Sequence, residues 1–172
     1  MKLESTTFTR SDVEQFLDEM LNHDRLALAD RLEKASARLA ESGPRVKAGQ
    51  GKGEWSEHEL LAHIAVLSKF YGVLVHKISS GQMTDLDLLE NVNLRDVVGE
   101  QMAQIEPAEL LRMALSDQAR TLKLLRSTEA SSLQRTATQE NGEPITAEEV
   151  ARLPLINHLE MHVDQLERAV SR

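Results

Sequence analysis

Asn157-His158-Leu159-Glu160-Met161-His162-Val163-Asp164-Gln165-Leu166 sets two histidines four residues apart inside an apolar stripe. At about 3.6 residues per turn, His158 and His162 project from one face of a helix, where their imidazoles can grip one metal ion. Leu155, Leu159, Gln165, Leu166 and Ala169 share that face, while Glu160 falls on the opposite side. A transition-metal site that does chemistry usually has three protein ligands and an open position, so the pair requires a third. The best candidate is His63, in Trp55-Ser56-Glu57-His58-Glu59-Leu60-Leu61-Ala62-His63-Ile64.

Composition supports a helical reading around these two stretches. Apolar residues are 41% of the 172-residue chain but aromatic residues only 3%, and leucine dominates. That balance suits helices packed through leucine better than a sandwich or barrel, and residues 1–172 read as one all-α domain. A net charge of -8 without a run of Lys or Arg argues against a nucleic-acid partner. The absence of cysteine excludes disulfides, thiolate metal sites and an internal thiol nucleophile, so any sulfur chemistry uses a thiol from outside. The N-terminus lacks the apolar core of a secretory signal, and no stretch approaches the roughly 20 apolar residues of a membrane span. A cytoplasmic protein without a membrane partner is expected.

Along the chain, Ser11-Asp12-Val13-Glu14 reads as a capping box opening a long first helix. Its predicted core stripe is Val13, Phe16, Leu17, Met20, Leu28, Leu32, Ala35 and Leu39, ending at Ser42-Gly43-Pro44. Residues 43–53, with four glycines, form a flexible connection. Ser56-Glu57-His58-Glu59 is a second capping box, followed by the stripe Leu60, His63, Ile64, Leu67, Tyr71 and Leu74. His58 is turned about 140° from His63 at roughly 100° per residue, away from that stripe. His23 and His76 read as scattered surface histidines. After Ser79-Ser80-Gly81 a long connection, with a short helix around Asn93 to Gln104, can return the chain across a bundle. Pro107 suits the first turn of a third helix with stripe Leu111, Ala114, Leu115, Gln118, Leu122 and Leu125. Gln118 could bond near the site or sit at a rim facing water. Residues 127–145 read as a loop with a turn at Asn141-Gly142-Glu143-Pro144. Thr146-Ala147-Glu148-Glu149 caps a short helical turn, and Pro154 starts or kinks the last helix.

Trp55-Ser56 followed by Glu59-Leu60-Leu61-Ala62-His63-Ile64, and His158-Leu159-Glu160-Met161-His162-Val163-Asp164-Gln165-Leu166, resemble the two signature segments of the DinB/YfiT-like superfamily of bacterial four-helix bundles. The resemblance covers nearly the whole chain. It implies a four-helix bundle of up-down-down-up topology with long connections, and a divalent metal, zinc or nickel, held by His63, His158 and His162. Characterised members include S-transferases using bacillithiol and a maleylpyruvate isomerase using mycothiol; many others have no assigned activity. The terminal segment departs from many relatives, because Val163 and Asp164 stand where a second His or a Gly often follows.

Three neutral imidazoles would leave a divalent ion its full charge, able to lower the pKa of bound water from about 15.7 toward about 7 or to deprotonate a thiol. The expected function is a metal-dependent transferase or hydrolase in which water or an external low-molecular-weight thiol attacks a small electrophile. Gln165 and Glu59 are candidates to orient the ligands, although Glu59 fits its capping box at least as well. The alternative is a stress-response module that binds metal or a small ligand without turnover. In the plainest reading the histidines are satisfied by hydrogen bonds alone. A leucine-rich bundle is compatible with a homodimer, and the acidic surface would keep either form soluble.

Overall fold

The computed structural model describes residues 9–51, 55–87 and 101–171. Four long helical stretches enclose a single core, with a small sheet at its margin. The helices are α1 (Arg10–Ser42), α2 (Glu57–Ser79), α3 (Pro107–Ser127) and a C-terminal stretch made of α4 (Ala147–Val150), a π-helical segment (Ala151–Asn157) and α5 (His158–Val170). The short helix expected around Asn93 lies mostly outside the described residues.

Local signals set most helix starts. Ser56 and Glu59 form the expected reciprocal box, as do Thr146 and Glu149, and Pro107 occupies the first turn of α3. The first box is displaced: Thr9 accepts from the Asp12 N–H at 3.2 Å and Asp12 accepts from the Thr9 N–H at 2.8 Å, so Ser11 lies inside α1. Both spacings satisfy the same pattern, and the chain takes the earlier start.

Burial along α1 begins only at Arg25. Leu28, Leu32, Ala35 and Leu39 are core residues as expected, but Val13, Phe16, Leu17 and Met20 are exposed. Periodicity marks an apolar face without supplying a neighbour for it. Arg25 itself is buried and donates to the Leu125 carbonyl in the last turn of α3, where the helix has unpaired acceptors.

α2 is the central helix, with Leu61, Ile64, Leu67, Val75 and Ile78 fully enclosed. Contrary to the expectation from sequence, it is long and apolar enough to cross a membrane, but 61% of its most apolar window is buried inside the protein. It meets α3 closely at Gly72, where an added Cβ would stand less than 3.0 Å from Thr121 Oγ1. One turn away Gln118 Nε2 donates to Ser68 Oγ at 2.9 Å. Gln118 is therefore a core residue, not a rim one, and the buried stripe of α3 runs Leu110, Ala114, Gln118, Thr121 and Leu125 rather than through Leu111 and Leu122. The register turns by one residue because Gly72 lets α2 approach the Thr121 side.

The segment before α2 is held rather than flexible over its described part. The N–H groups of Lys47, Gly49 and Gly51 donate to the side chains of Glu57, His58 and Glu59, at 3.1, 3.3 and 2.9 Å. Alternate residues of an extended strand thus pair with successive residues of a helical turn. Residues 127–145 also hold more structure than a loop. They contain a 3-10 turn (Ala130–Gln134), strand β2 (Thr136–Gln139) and the first two residues of β3 (Pro144–Thr146), with Gly142 at φ 85° in the turn between the strands. β3 pairs antiparallel with β2, and β2 pairs parallel with β1 (Asp85–Leu86). The all-α expectation therefore needs a three-stranded addition. Leu86 and Ala137 face the core from it, and Leu133 does so from the 3-10 turn.

Pro154 does not start the last helix but lies inside its π-helical segment, an irregularity at the place where a kink was the other expectation. It lacks an N–H and its ring crowds the carbonyl four residues back; a wider π turn accommodates both, and the helical path continues into α5. α5 lies against α1 through two guanidinium clamps two turns apart. Arg31 Nε donates to Glu160 at 3.0 Å and Arg31 Nη2 to Asn157 at 2.6 Å; Arg38 Nε donates to Glu167 at 3.0 Å and its Nη2 reaches Asp164. Glu167 first, then Asp164, raises the Arg38 pKa above its ordinary value. Partly exposed pairs of this kind add little stability, but they fix the rotation of α5 about its axis.

Candidate metal centre

That rotation turns His158 and His162 toward α2, where His63 stands two turns inside the Ser56 cap. One ligand-capable nitrogen from each of the three rings lies within 4.8 Å of the other two. Ring centroids are 4.6 Å apart for His63 and His162, 4.5 Å for His158 and His162, and 5.4 Å for His63 and His158. Bonds of about 2.1 Å to a tetrahedral centre require nitrogens about 3.4 Å apart, a distance within reach of small side-chain rotations. His162 is buried, and His63 and His158 are partly exposed, so the group opens to one side. Imidazole ligands suit several transition metals, zinc, copper, iron and nickel among them.

Gln165 lies in hydrogen-bond contact with His162. Its Oε1 lies 2.8 Å from His162 Nδ1. An amide oxygen accepts, so Nδ1 carries the proton and the lone pair falls on the buried Nε2. Glu59 does different work. Its carboxylate accepts from the Ser56 N–H at 2.8 Å and the Gly51 N–H at 2.9 Å, and those bonds, Ser56 first, hold its pKa below the usual carboxylate range against the opposing effect of burial. It anchors the chain ahead of α2. Glu160 points to Arg31, in agreement with its placement on the far face of the helix.

Two residues near this end of α2 behave in ways their spacing did not reveal. His58 is buried although it is turned from the His63 stripe: Nε2 meets the Ile105 carbonyl at 2.7 Å and Nδ1 accepts from Gly49. The 43–51 segment and residue 105 cover that second face of α2. Trp55 leans on the histidines, 4.7 Å from His63 and 6.2 Å from His162 between centroids, with its side chain largely open. Its place just ahead of the capped helix, inside the Trp55-Ser56 segment that carries the family resemblance, was the signal in the sequence. His23 and His76 are exposed and outside the group.

The fold is shared with known proteins. YfiT from Bacillus subtilis, described as a probable metal-dependent hydrolase with an unusual four-helix bundle topology, superposes with a TM-score of 0.66 at 14% identity, over 99% of this chain and 94% of that one. A mycothiol-dependent maleylpyruvate isomerase superposes with a TM-score of 0.64 at 18% identity over 84% of this chain, which spans only 60% of the isomerase's length. At such identities the likeness is one of fold. No curated protein matches. The model of the DinB superfamily matches residues 9–166, with both histidine-bearing segments inside that span, and the chain belongs to the DinB superfamily.

Proposed function

We propose that His63, His158 and His162 hold a divalent transition metal, zinc or nickel, and that the protein is a metal-dependent transferase or hydrolase acting on a small electrophile. Convergence of three imidazoles from two core helices, with nitrogens within 4.8 Å, is the chief support. Bringing three such rings together in a leucine-rich interior is costly unless they bind something. The descriptions of YfiT as a probable metal-dependent hydrolase and of the isomerase as mycothiol-dependent point the same way.

When bound, such an ion would supply a water or an external thiol in its deprotonated form near neutral pH. The chain's own residues do the rest. Gln165 fixes the His162 tautomer, the Arg31 and Arg38 clamps set the rotation of α5, and the capped start of α2 sets the depth of His63. In the reaction an S–C or O–C bond forms at the electrophile. The nucleophile's proton is lost to solvent, and the electron pair leaves with a departing group or moves into the unsaturated system.

The helix order is taken to be up-down-down-up. The contacts Ser68–Gln118 and Gly72–Thr121 advance together along α2 and α3, and Arg31–Glu160 and Arg38–Glu167 advance together along α1 and α5, which supports parallel pairs.

A second reading, metal or ligand binding without turnover, is favoured by one feature. Glu59 is engaged by backbone N–H groups, and among the described residues no carboxylate joins the three-histidine group to act as a general acid or base. The deciding assay offers a chloro-nitroarene or an epoxide with bacillithiol, mycothiol, glutathione or water, comparing zinc- or nickel-loaded protein with EDTA-treated protein. Metal-dependent turnover is expected. Metal uptake without turnover of any pair would leave the binding module.

A further inference from the structure

We propose that the outer face of Trp55 is the platform on which a planar, electron-poor substrate stacks beside the three histidines; this names the substrate class for the site just proposed and rests on that reading. Trp55 is the chain's single tryptophan, yet it is 60% exposed. An indole left in water forgoes more burial than almost any other side chain. One side of the ring is occupied, tilted 50° against His63 and 34° against His162.

The backbone next to the indole is also anchored. Trp55 directly precedes Ser56, whose Oγ donates to the Gly49 carbonyl at 2.8 Å and caps α2, while Glu59 ties Ser56 and Gly51 together. A rigid aromatic surface loses little freedom when a ligand stacks on it. Its electron-rich face prefers an electron-deficient π system, and a flat ligand keeps contact across the whole ring where a tetrahedral one touches at an edge. Unsaturated or nitro-substituted electrophiles meet both requirements.

The test uses the full chain with and without zinc. Indole fluorescence is titrated with 1,3-dinitrobenzene, which is flat and electron-poor, and with nitrocyclohexane, which is neither. Binding to Trp55→Phe and Trp55→Ala is followed by calorimetry, and bound zinc is measured for every variant. Saturable quenching by dinitrobenzene alone is expected, with affinity kept in W55F and about tenfold weaker in W55A, and with the same zinc content throughout. Equal binding of both probes, no saturation, or undiminished affinity in W55A would overturn the platform. Loss of zinc in W55A would do the same, by making Trp55 a prop for His63. A wild-type protein that takes up no zinc would instead overturn the metal reading, and the dinitrobenzene titration would still decide the platform on its own.

Discussion

Zinc should raise the melting temperature of this protein, and His162→Ala should remove the effect. A ligand that binds only the folded state, present at about 100 times its Kd, adds about 2.7 kcal/mol. In a chain of 172 residues each kcal/mol moves Tm by about 2–4 °C, so the rise expected at that excess is about 5–11 °C. The unfolded chain cannot compete effectively, because His63 and His158 come from distant segments and only folding brings their nitrogens within 4.8 Å. His162 is the most buried of the three, and Gln165 fixes its tautomer. Replacing it with Ala leaves two ligands and should reduce the zinc-induced rise to less than about 2 °C. The metal-free variant should also melt lower, since removing a buried ring costs about 1–2 kcal/mol, or about 2–8 °C. Calorimetry on EDTA-treated protein, with and without added zinc, measures both effects. Circular dichroism checks that the bundle stays helical, and His23→Ala, an exposed position, serves as the control. The reasoning fails if His162→Ala keeps the full rise, or if the wild type shows none and binds less than about 0.1 equivalent of zinc or nickel.

Gly72→Ala should destabilise the bundle by up to about 2 kcal/mol in urea titration, because crowding against the buried Thr121 hydroxyl (about 1–3 kcal/mol) outweighs the helix-propensity gain of about 1 kcal/mol. Adding Thr121→Ala should recover at least half of the loss, and a double variant no better than Gly72→Ala alone would show that the close approach is not the cause. Glu59 has a lowered folded pKa, so its stabilising contribution is complete above the unfolded value near 4.5 and disappears as pH falls through the lower folded value. Glu59→Gln should therefore lower the urea midpoint at pH 7 and make its decline toward pH 3 shallower than in the wild type; parallel curves would refute the linkage.

Much of this architecture is local chemistry and can be read without coordinates. The Ser56–Glu59 and Thr146–Glu149 boxes, Pro107 at a helix start and the turn at Gly142 depend on residues within four positions of one another. Periodicity also marked His63, His158 and His162 as inward-facing on their helices, because four residues nearly complete a turn whatever surrounds the helix. Only the tertiary structure decided what stands opposite each face. Val13, Phe16, Leu17 and Met20 repeat as regularly as Leu28, Leu32 and Leu39, yet they are exposed where the latter are enclosed. His58, off the expected stripe, is buried because the 43–51 segment and Ile105 fold over it. Trp55 reaches His162, and β1 joins β2, through contacts between segments far apart in the chain. Spacing along one helix determines which side chains share a direction; the distance to a second helix depends on how two separate surfaces pack, and no pattern within either segment encodes it.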